Sequence, residues 1–472
     1  HSLVGSEMCI RDSLCGAGNN AGDGYVVARL AKQYGYAVRV MSLQNPDSLS
    51  NEALLAYNDW LSVADSVDQI MGVDLSVIKE AELIVDALLG TGLTRRVTGE
   101  WASCIDAVNQ SKKTVLSVDI PSGLLADTGA VSGIAIRADV TVSFIGLKQG
   151  LFTADADDVC GELIFADLDL PADIYQQVEC DARLLNDVDY GLLPKRKASS
   201  HKGKFGHVLI VGGNKNMPGA IILSARAALR AGAGLVTIIT IAEHLEAISS
   251  AVPEAMTRIC DTATMDELFD QAFANSITHV AIGMGLGQDD WSLACLQHCV
   301  QMNKPMLIDA DALNLVASIG FSEIGLSSSV PVVITPHPGE AARLLSTNKI
   351  LETAEIQADR FKTVKSLRNL LDSVETCIVV LKGAGTIIFD GAEVKICHLG
   401  NPAMAAPGLG DVLSGIIIAL MAQNDDFPEV TVAQTVALAV CLHAAAADAV
   451  VGGKTRGLIA SDVVEALPGV VQ

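Results

Sequence analysis

Short apolar runs, each closing on a glycine- or carboxylate-bearing loop and followed by a helical pattern, recur along almost the whole chain. In the first half they are Ala37–Leu43, Glu82–Leu88, Thr114–Ile120 and Asp139–Ile145, with a helical pattern over Asn51–Ser62. In the second half they are Val208–Val211, Leu235–Thr240, His279–Ile282, Pro305–Ile308, Val332–Ile334 and Cys377–Leu381. Runs this apolar read as strands buried on both faces, and strands alternating with helices build parallel sheets covered on both sides. The expected fold class is therefore α/β. Open sheets of this kind bind ligands beyond the carboxyl ends of their strands. The chain places polar chemistry there: Asp86 before Gly90-Thr91-Gly92, Asp119 before Pro121-Ser122-Gly123, then GMGLGQ, Asp309 with Asp311, TPHPGE and KGAGT.

A chain of 472 residues exceeds one ordinary domain. Periodicity lapses between Pro171 and Ser200, which puts the boundary near Asp181–Pro194 and the expected domains at 14–185 and 186–472. Lys195-Arg196-Lys197 in that stretch reads as a solvated linker. The opening HSLVGSEMCIRDS matches neither a helix nor a strand pattern and is set aside as a non-native leader or a truncation scar. A net charge of −23 argues against binding nucleic acid or an anionic membrane. Glycine loops and helix ends still bind phosphate inside an acidic protein. Eleven cysteines without pairing rhythm read as buried thiols of a reducing, cytoplasmic compartment. Cys295 and Cys299 flank His298, yet no second ligand pair accompanies them. The uncharged runs Val412–Asn424 and Thr431–Ala447 are short for a membrane span and read as buried core helices.

The densest functional signal is GNPAMAAPGLGDVLSG, Gly400–Gly415. Gly408 and Gly410 make a tight turn, Asp411 follows, and an apolar helical run begins at Val412. Unpaired N–H groups at such a helix start hold phosphate, and Asp411 would stand beside a phosphoryl group, placed to take a proton from an attacking hydroxyl. A glycine turn with a plain Asp cap is the alternative for this motif alone. Leu14–Leu30 carries a similar glycine and asparagine turn entering a helix, without the spacing of the dinucleotide fingerprint. His337 taken alone reads as a plain loop histidine, but it lies between two prolines at a strand end, a rigid setting that suits a ligand contact.

GNNAGDG, VDALLGTG and SVDIPSG, in this order, resemble the YjeF N-terminal family, the NAD(P)H-hydrate epimerases, and so imply a Rossmann-like parallel sheet. The resemblance implies that Asn19, Asn20, Ala21, Gly22 and Asp23 contact the hydrated nicotinamide nucleotide. It implies that Gly90, Thr91, Gly92, Leu93, Thr94, Arg95 and Arg96 line the ligand, and that Asn20, Asp86 and Ser122 hold a potassium ion. Asp119 would be the catalytic carboxylate, shuttling the proton as the C6 carbon–oxygen bond breaks and re-forms. Family members carry helices before the GNN loop, so this domain is expected to be N-terminally truncated and its epimerase competence reduced.

HKGKFGHVLIVGG, NKNMPGA, GMGLGQ, DADALN, TPHPGEAARLL, LKGAGTII and GNPAMAAPGLGDVLSG together resemble the ADP/ATP-dependent NAD(P)H-hydrate dehydratases, relatives of the ribokinase-like small-molecule kinases. The match runs through nearly all of Lys202–Asp462 and implies a ribokinase-like α/β sandwich. By the resemblance, Ala220, Gly285, His337 and Asp411 contact the hydrate, while Lys382, Gly383, Ala384, Gly385, Thr386 and Gly410 contact the nucleotide. The donor would be ADP, with ATP as the second candidate, together with Mg2+. Asp411 would be the base that lets the C6 hydroxyl be phosphorylated, after which phosphate leaves. Pro407 stands where the family more commonly has Gly or Ala, and it offers no N–H to a phosphate. The fusion implies repair of hydrated NADH and NADPH (NADHX and NADPHX) by a homo-oligomer. The competing reading is a ribokinase-type kinase for a vitamin precursor, its product keeping the phosphate, with a non-catalytic N-terminal binding module.

Overall fold

Strand order, more than strand count, positions the two crevices. The computed structural model describes residues 10–64, 68–69, 78–193, 195–346, 350–424 and 429–471. The chain divides into two units, His1–Cys180 and Asp181–Gln472.

In the first unit, β1 (Ile10–Cys15), β2 (Ala37–Ser42), β3 (Asp68–Gln69), β4 (Leu83–Ala87), β5 (Thr114–Val118), β6 (Val140–Phe144) and β7 (Glu162–Ala166) form one sheet. Their order is β3-β2-β1-β4-β5-β6-β7, and every pairing is parallel. The order reverses between β1 and β4, so the loops after these two strands flank the natural ligand crevice. Alternate side chains feed two apolar clusters, Leu14 and Met41 in one, Cys15 and Val40 in the other, so both sheet faces are buried.

The strand β1 corrects the sequence reading of the opening residues. Residues 10–13, set aside as patternless, belong to the strand that lies between β2 and β4. Backbone pairing on both edges outweighs the polar composition of this stretch. The Asp12 charge, wholly buried, is matched by Arg39 of β2 through two bonds, Nε to Oδ1 at 2.9 Å and Nη2 to Oδ2 at 2.8 Å.

The helix Asn19–Gln33 lies unusually close to this sheet. A Cβ on Gly24 would stand 2.5 Å from Ala87 Cβ and 2.9 Å from Cys15 Sγ. Gly24→Ala is therefore expected to lower stability by about 1–3 kcal/mol, because the helix must move off the sheet. Chemical denaturation checks this, and an unchanged midpoint would contradict the packing described.

The second unit holds β8 (Arg183–Leu185), β9 (His207–Val211), β10 (Leu235–Thr240), β11 (Met256–Ile259), β12 (His279–Ile282), β13 (Met306–Ile308), β14 (Val332–Ile334), β15 (Cys377–Leu381), β16 (Thr386–Phe389) and β17 (Val394–Cys397). They run β11-β10-β9-β12-β13-β14-β15-β16-β17-β8 across one sheet. The pairings are parallel except β15 with β16 and β16 with β17, which are antiparallel. The expected strand–helix alternation thus ends at β15. The turn Lys382–Gly385 is far too short for a crossover, so β16 must return antiparallel. Order reverses between β9 and β12, which again marks a crevice.

The core of this unit is built on the helices Pro218–Arg230, Leu409–Gln423, Val432–Val451 and Ala460–Val470. A Cβ on Gly415 would lie 2.2 Å from the Ser224 carbonyl oxygen, so glycine permits this close helix crossing. Among the described residues Val432–Val451 is long and apolar enough to cross a membrane, but most of it is buried inside the protein. Lys195, Arg196 and Lys197 are exposed, as a solvated linker requires, and Arg196 is anchored as well. Its guanidinium lies 3.6 Å over the Phe205 ring, and its Nη2 donates to Gln423 Oε1 at 2.8 Å and to the Gly232 carbonyl.

Candidate active sites

In the first unit the helix Asn19–Gln33 begins after Gly18, which offers no side chain as a cap, so the GNN residues form an open first turn. Asn20 is buried, and neither its Oδ1 nor its Nδ2 has a hydrogen-bond partner among the described residues. A buried amide left without partners is costly, so both its polar atoms are open to a water, an ion or a ligand. The Gly90 loop lies directly on it, since a Cβ at Gly90 would be 3.0 Å from Asn20 Cβ.

Beside this, Asp86 is fully buried at the end of β4. Its Oδ1 accepts from Ser122 Oγ at 2.5 Å and from the Leu88 N–H, while its Oδ2 accepts from Ser117 Oγ and the Ser122 N–H, both at 2.8 Å. Burial pushes this carboxyl up and these donors oppose it, with a net rise above the ordinary range. Asp86 therefore acts on Ser122, while Asn20 presents the uncommitted oxygen. An orphaned amide oxygen and a hydroxyl backed by a carboxylate fit a hard monovalent cation.

Asp119 follows β5 with φ of 67°, a left-handed backbone rarely taken by a residue with a side chain. Its Oδ1 accepts from the Lys148 ammonium and from the Phe144 N–H at 3.0 Å. Lys148 is held in turn by Ser143 Oγ at 3.2 Å and the Phe144 carbonyl at 3.0 Å. Asp119 Oδ2 takes no hydrogen bond from the described residues, so one of its oxygens is uncommitted. Asp23 faces this pair. Partial desolvation and then the Asp119 charge raise its carboxyl above the ordinary range, while Lys148 opposes.

The structure thus gathers Asn20, Asp23, Asp86, Gly90, Asp119 and Ser122 around the carboxyl ends of β1, β4 and β5. Asn19, Thr91, Gly92, Thr94, Arg95 and Arg96 are exposed, with Leu93 partly so. Ala21 and Gly22 are placed differently. Ala21 is fully buried in the core, and a Cβ on Gly22 would meet Ala53 Cα at 2.9 Å, so these two pack helix against core. Lys148 escapes a motif-based reading of the sequence. Its signal is positional: it follows the strand after Asp119, at the same sheet edge.

In the second unit Asp411 lies in the first turn of the helix Leu409–Gln423. Gly408 caps that helix with φ of 87° and no side chain, so no side chain occupies the amides of the first turn. Burial pushes the Asp411 carboxyl up to about 7, with Asp309, Asp311 and Glu340 adding to the rise and Lys382 opposing it. A carboxylate at that value is suited to accept a proton near neutral pH.

Lys382 organises these carboxylates. Its Nζ is 2.7 Å from Asp309 Oδ1 and 3.9 Å from Glu340 Oε2, and it would lie 3.3 Å from a Cβ on Gly410. Burial lowers its basicity, and Asp309 and Glu340 more than restore it, so the amine stays charged. Ser414, one turn after Asp411, donates to Asp309 Oδ2 at 2.6 Å and so ties the helix to the end of β13. Ala220 and Gly285 touch, a Cβ on Gly285 lying 3.2 Å from Ala220 Cβ. The His337 ring is committed to capping the helix Pro338–Leu345. Its Nδ1 accepts from the Gly339 N–H at 2.9 Å, and its Nε2 lies 3.2 Å from Glu340 Oε1. Burial first, then Lys382 and Arg343, lower its pKa, so the ring is neutral. Gly383, Ala384, Gly385 and Thr386 form the turn into β16, with Thr386 Oγ1 donating to the Gly383 carbonyl at 3.1 Å. Among the described residues no group of three or more His, Cys, Asp or Glu side chains could hold a metal ion.

Comparison with known proteins adds the following. A family model described as NAD(P)H-hydrate dehydratase matches residues 208–469, and one described as YjeF-related protein N-terminus matches residues 13–150. The chain is 40% identical over 452 residues to a bifunctional NAD(P)H-hydrate repair enzyme Nnr of Coxiella burnetii, covering 95% of this chain and 87% of that one. It is 41% identical over 461 residues to the protein of the same description in Escherichia coli K12, covering 97% and 84%. Among solved structures it resembles a ribokinase-like superfamily protein of Enterococcus faecalis, with 28% identity, a TM-score of 0.52, and coverage of 62% of this chain and 96% of that one.

Proposed function

The chain belongs to the bifunctional NAD(P)H-hydrate repair enzyme family, and on that premise we propose how its two sites act. It is an enzyme with two activities, a lyase that dehydrates NAD(P)H-hydrate and an isomerase that interconverts the two epimers of that hydrate. We assign the isomerase to the first unit and the lyase to the second, which moves the boundary expected after residue 185 back to Cys180–Asp181, because β8 (Arg183–Leu185) pairs with β17 of the second sheet. The observation that carries the lyase assignment is Asp411, with a pKa of about 7 in an open helix turn beside Lys382.

The hydrate lies with its C6 hydroxyl on Asp411, against Ala220, Gly285 and His337. Nucleotide phosphates lie over the turn Lys382–Thr386 and the Gly410 amide. Asp411 takes the hydroxyl proton as a phosphoryl group passes from ADP to the C6 oxygen. Mg2+, when bound, neutralises charge on the transferring phosphoryl. Lys382 and the helix-end amides hold the developing negative charge. The ring nitrogen's lone pair then expels phosphate, loss of a C5 proton restores the dihydropyridine, and AMP remains. ADP is the proposed donor, with ATP as the competing one.

In the first unit Asp119 moves the proton while the C6 carbon–oxygen bond breaks and re-forms. Lys148 fixes its Oδ1 so that Oδ2 faces the substrate. Potassium is proposed to lie on Asn20 Oδ1 and Ser122 Oγ, with the Asp86 carboxyl group behind. If so, KCl should raise the melting temperature of the protein above that in equal NaCl, and Asn20→Ala should remove the difference. Equal melting in the two salts would contradict this cation site.

We further propose a cytoplasmic homo-oligomer acting on NADHX and NADPHX, with neither nucleic acid nor membrane as partner. The charge of −23 supports the exclusion of nucleic acid and membrane, and, among the described residues, nine buried free cysteines support the reducing compartment. Product analysis tests the reading: AMP and inorganic phosphate should appear in step with NADH. A phosphorylated product that accumulates would instead favour the small-molecule kinase.

A further inference from the structure

Beneath the turn Lys382–Thr386 lies a charge that neither proposed mechanism uses. Arg360, in the helix Arg360–Asn369, has no exposed surface. Its hydrogen bonds among the described residues all go to neutral oxygens. Its Nη1 donates to Gln357 Oε1 at 2.6 Å. Its Nη2 donates to the carbonyls of Leu381, Lys382 and Gly385 at 3.1, 3.3 and 3.4 Å, and its Nε has no partner among the described residues. Burial lowers its pKa only to about 10, so it is charged at neutral pH. A buried cation answered by neutral carbonyl oxygens alone is expensive, and a fold with 55 acidic residues to choose from leaves it so.

The peptide geometry shows what the arrangement does. The described peptides are all trans, so each C=O points opposite to the N–H of the next residue. With the Lys382 carbonyl drawn onto Arg360, the Gly383 N–H faces the other way, and it donates to no described residue. A Cβ on Gly383 would lie 2.7 Å from Arg360 Nη1, so glycine is what lets this turn sit on the guanidinium. The same residue, Lys382, carries its ammonium to Asp309 and Glu340. Arg360 thus sets one end of Lys382 while the acidic groups around Asp411 set the other.

We propose that Arg360 is a positioning residue for the nucleotide phosphates: it orients the Lys382–Thr386 turn so that the Gly383 N–H faces them, and it supplies an uncompensated positive charge behind that turn. This rests on the reading of the turn as a nucleotide site.

The test is calorimetric titration with two probes, ADP with Mg2+ and NADH, on the full chain. Arg360→Met should weaken ADP at least tenfold while NADH affinity stays within twofold, and Arg360→Lys should recover part of the loss. Unchanged ADP affinity, or equal losses for ADP and NADH, would overturn the proposal. If circular dichroism finds Arg360→Met unfolded, Gly383→Ala decides, because its Cβ pushes the turn off the guanidinium. ADP weakened with NADH retained supports the proposal, and ADP unaffected overturns it. Unaltered protein that binds neither ADP nor ATP would instead remove the nucleotide reading itself.

Discussion

Asp411→Asn is expected to lower the dehydratase kcat by about 10^2- to 10^4-fold, the usual contribution of a positioned general base. Affinity for ADP should change little, because Lys382, the Gly383 turn and the Gly410 amide are untouched. The pH profile follows from the same residue. Asp411 must be ionised to accept a proton, so kcat/KM should rise with pH through an apparent pKa of about 7. Stability should run the other way. The carboxyl binds its proton more tightly in the native state than in the unfolded chain, where its pKa is the ordinary 3.8. Stability from this group is full below that value, is lost as pH rises towards about 7, and stays lost above. Asn cannot ionise, so at pH 8 the variant should be the more stable protein by as much as a few kcal/mol, since a tenfold difference in proton affinity is worth about 1.4 kcal/mol. At pH 4 the two should melt nearly together. A variant that loses nucleotide affinity, or that melts lower at pH 8, would remove the base assignment.

The second large effect is confined to the first unit. Asp119→Ala should slow epimerisation by about 10^2- to 10^4-fold and leave dehydration of the S hydrate unaltered. Loss of both activities would contradict two independent sites. Lys148→Met should produce a similar loss, since Asp119 Oδ1 would keep only the Phe144 N–H and a weak Ser143 hydroxyl contact. An unimpaired Lys148→Met enzyme would reduce the pair to a structural ion bridge.

Much of this arrangement is legible in the residues alone. The runs His279–Ile282, Val332–Ile334 and Cys377–Leu381 are strands with the expected ends, because a strand buried on both faces has an unbroken apolar signature. The glycine and carboxylate loops at their carboxyl ends follow from sheet topology. What stays hidden depends on partners distant in sequence. The strand β1 reads as polar because its Asp12 is answered by Arg39 from the neighbouring strand. The strands β16 and β17 are four residues each, and only the tightness of the Lys382–Gly385 turn foretells their direction. Lys148 meets Asp119 across 29 positions, and Arg360 meets the Lys382 turn across 22, so neither belongs to a local motif. The bracing prolines of His337 point to a ligand contact, yet its Nδ1 is occupied as a helix cap. Any contact with the hydrate must use the ring face or share the Nε2 edge that Glu340 Oε1 already meets at 3.2 Å.

The central claim is that one chain restores both epimers of a hydrated cofactor. The direct measurement is recovery of NADH absorbance from a mixed R and S hydrate, supplied with ADP and Mg2+. Because Asn20, Asp86, Asp119 and Ser122 are gathered at one sheet edge, the account predicts complete recovery, faster than spontaneous epimerisation allows, against the reduced competence expected from the sequence. A trace that stalls once the S form is consumed would contradict the isomerase half. No recovery with ADP and none with ATP would contradict the lyase, and with it the account.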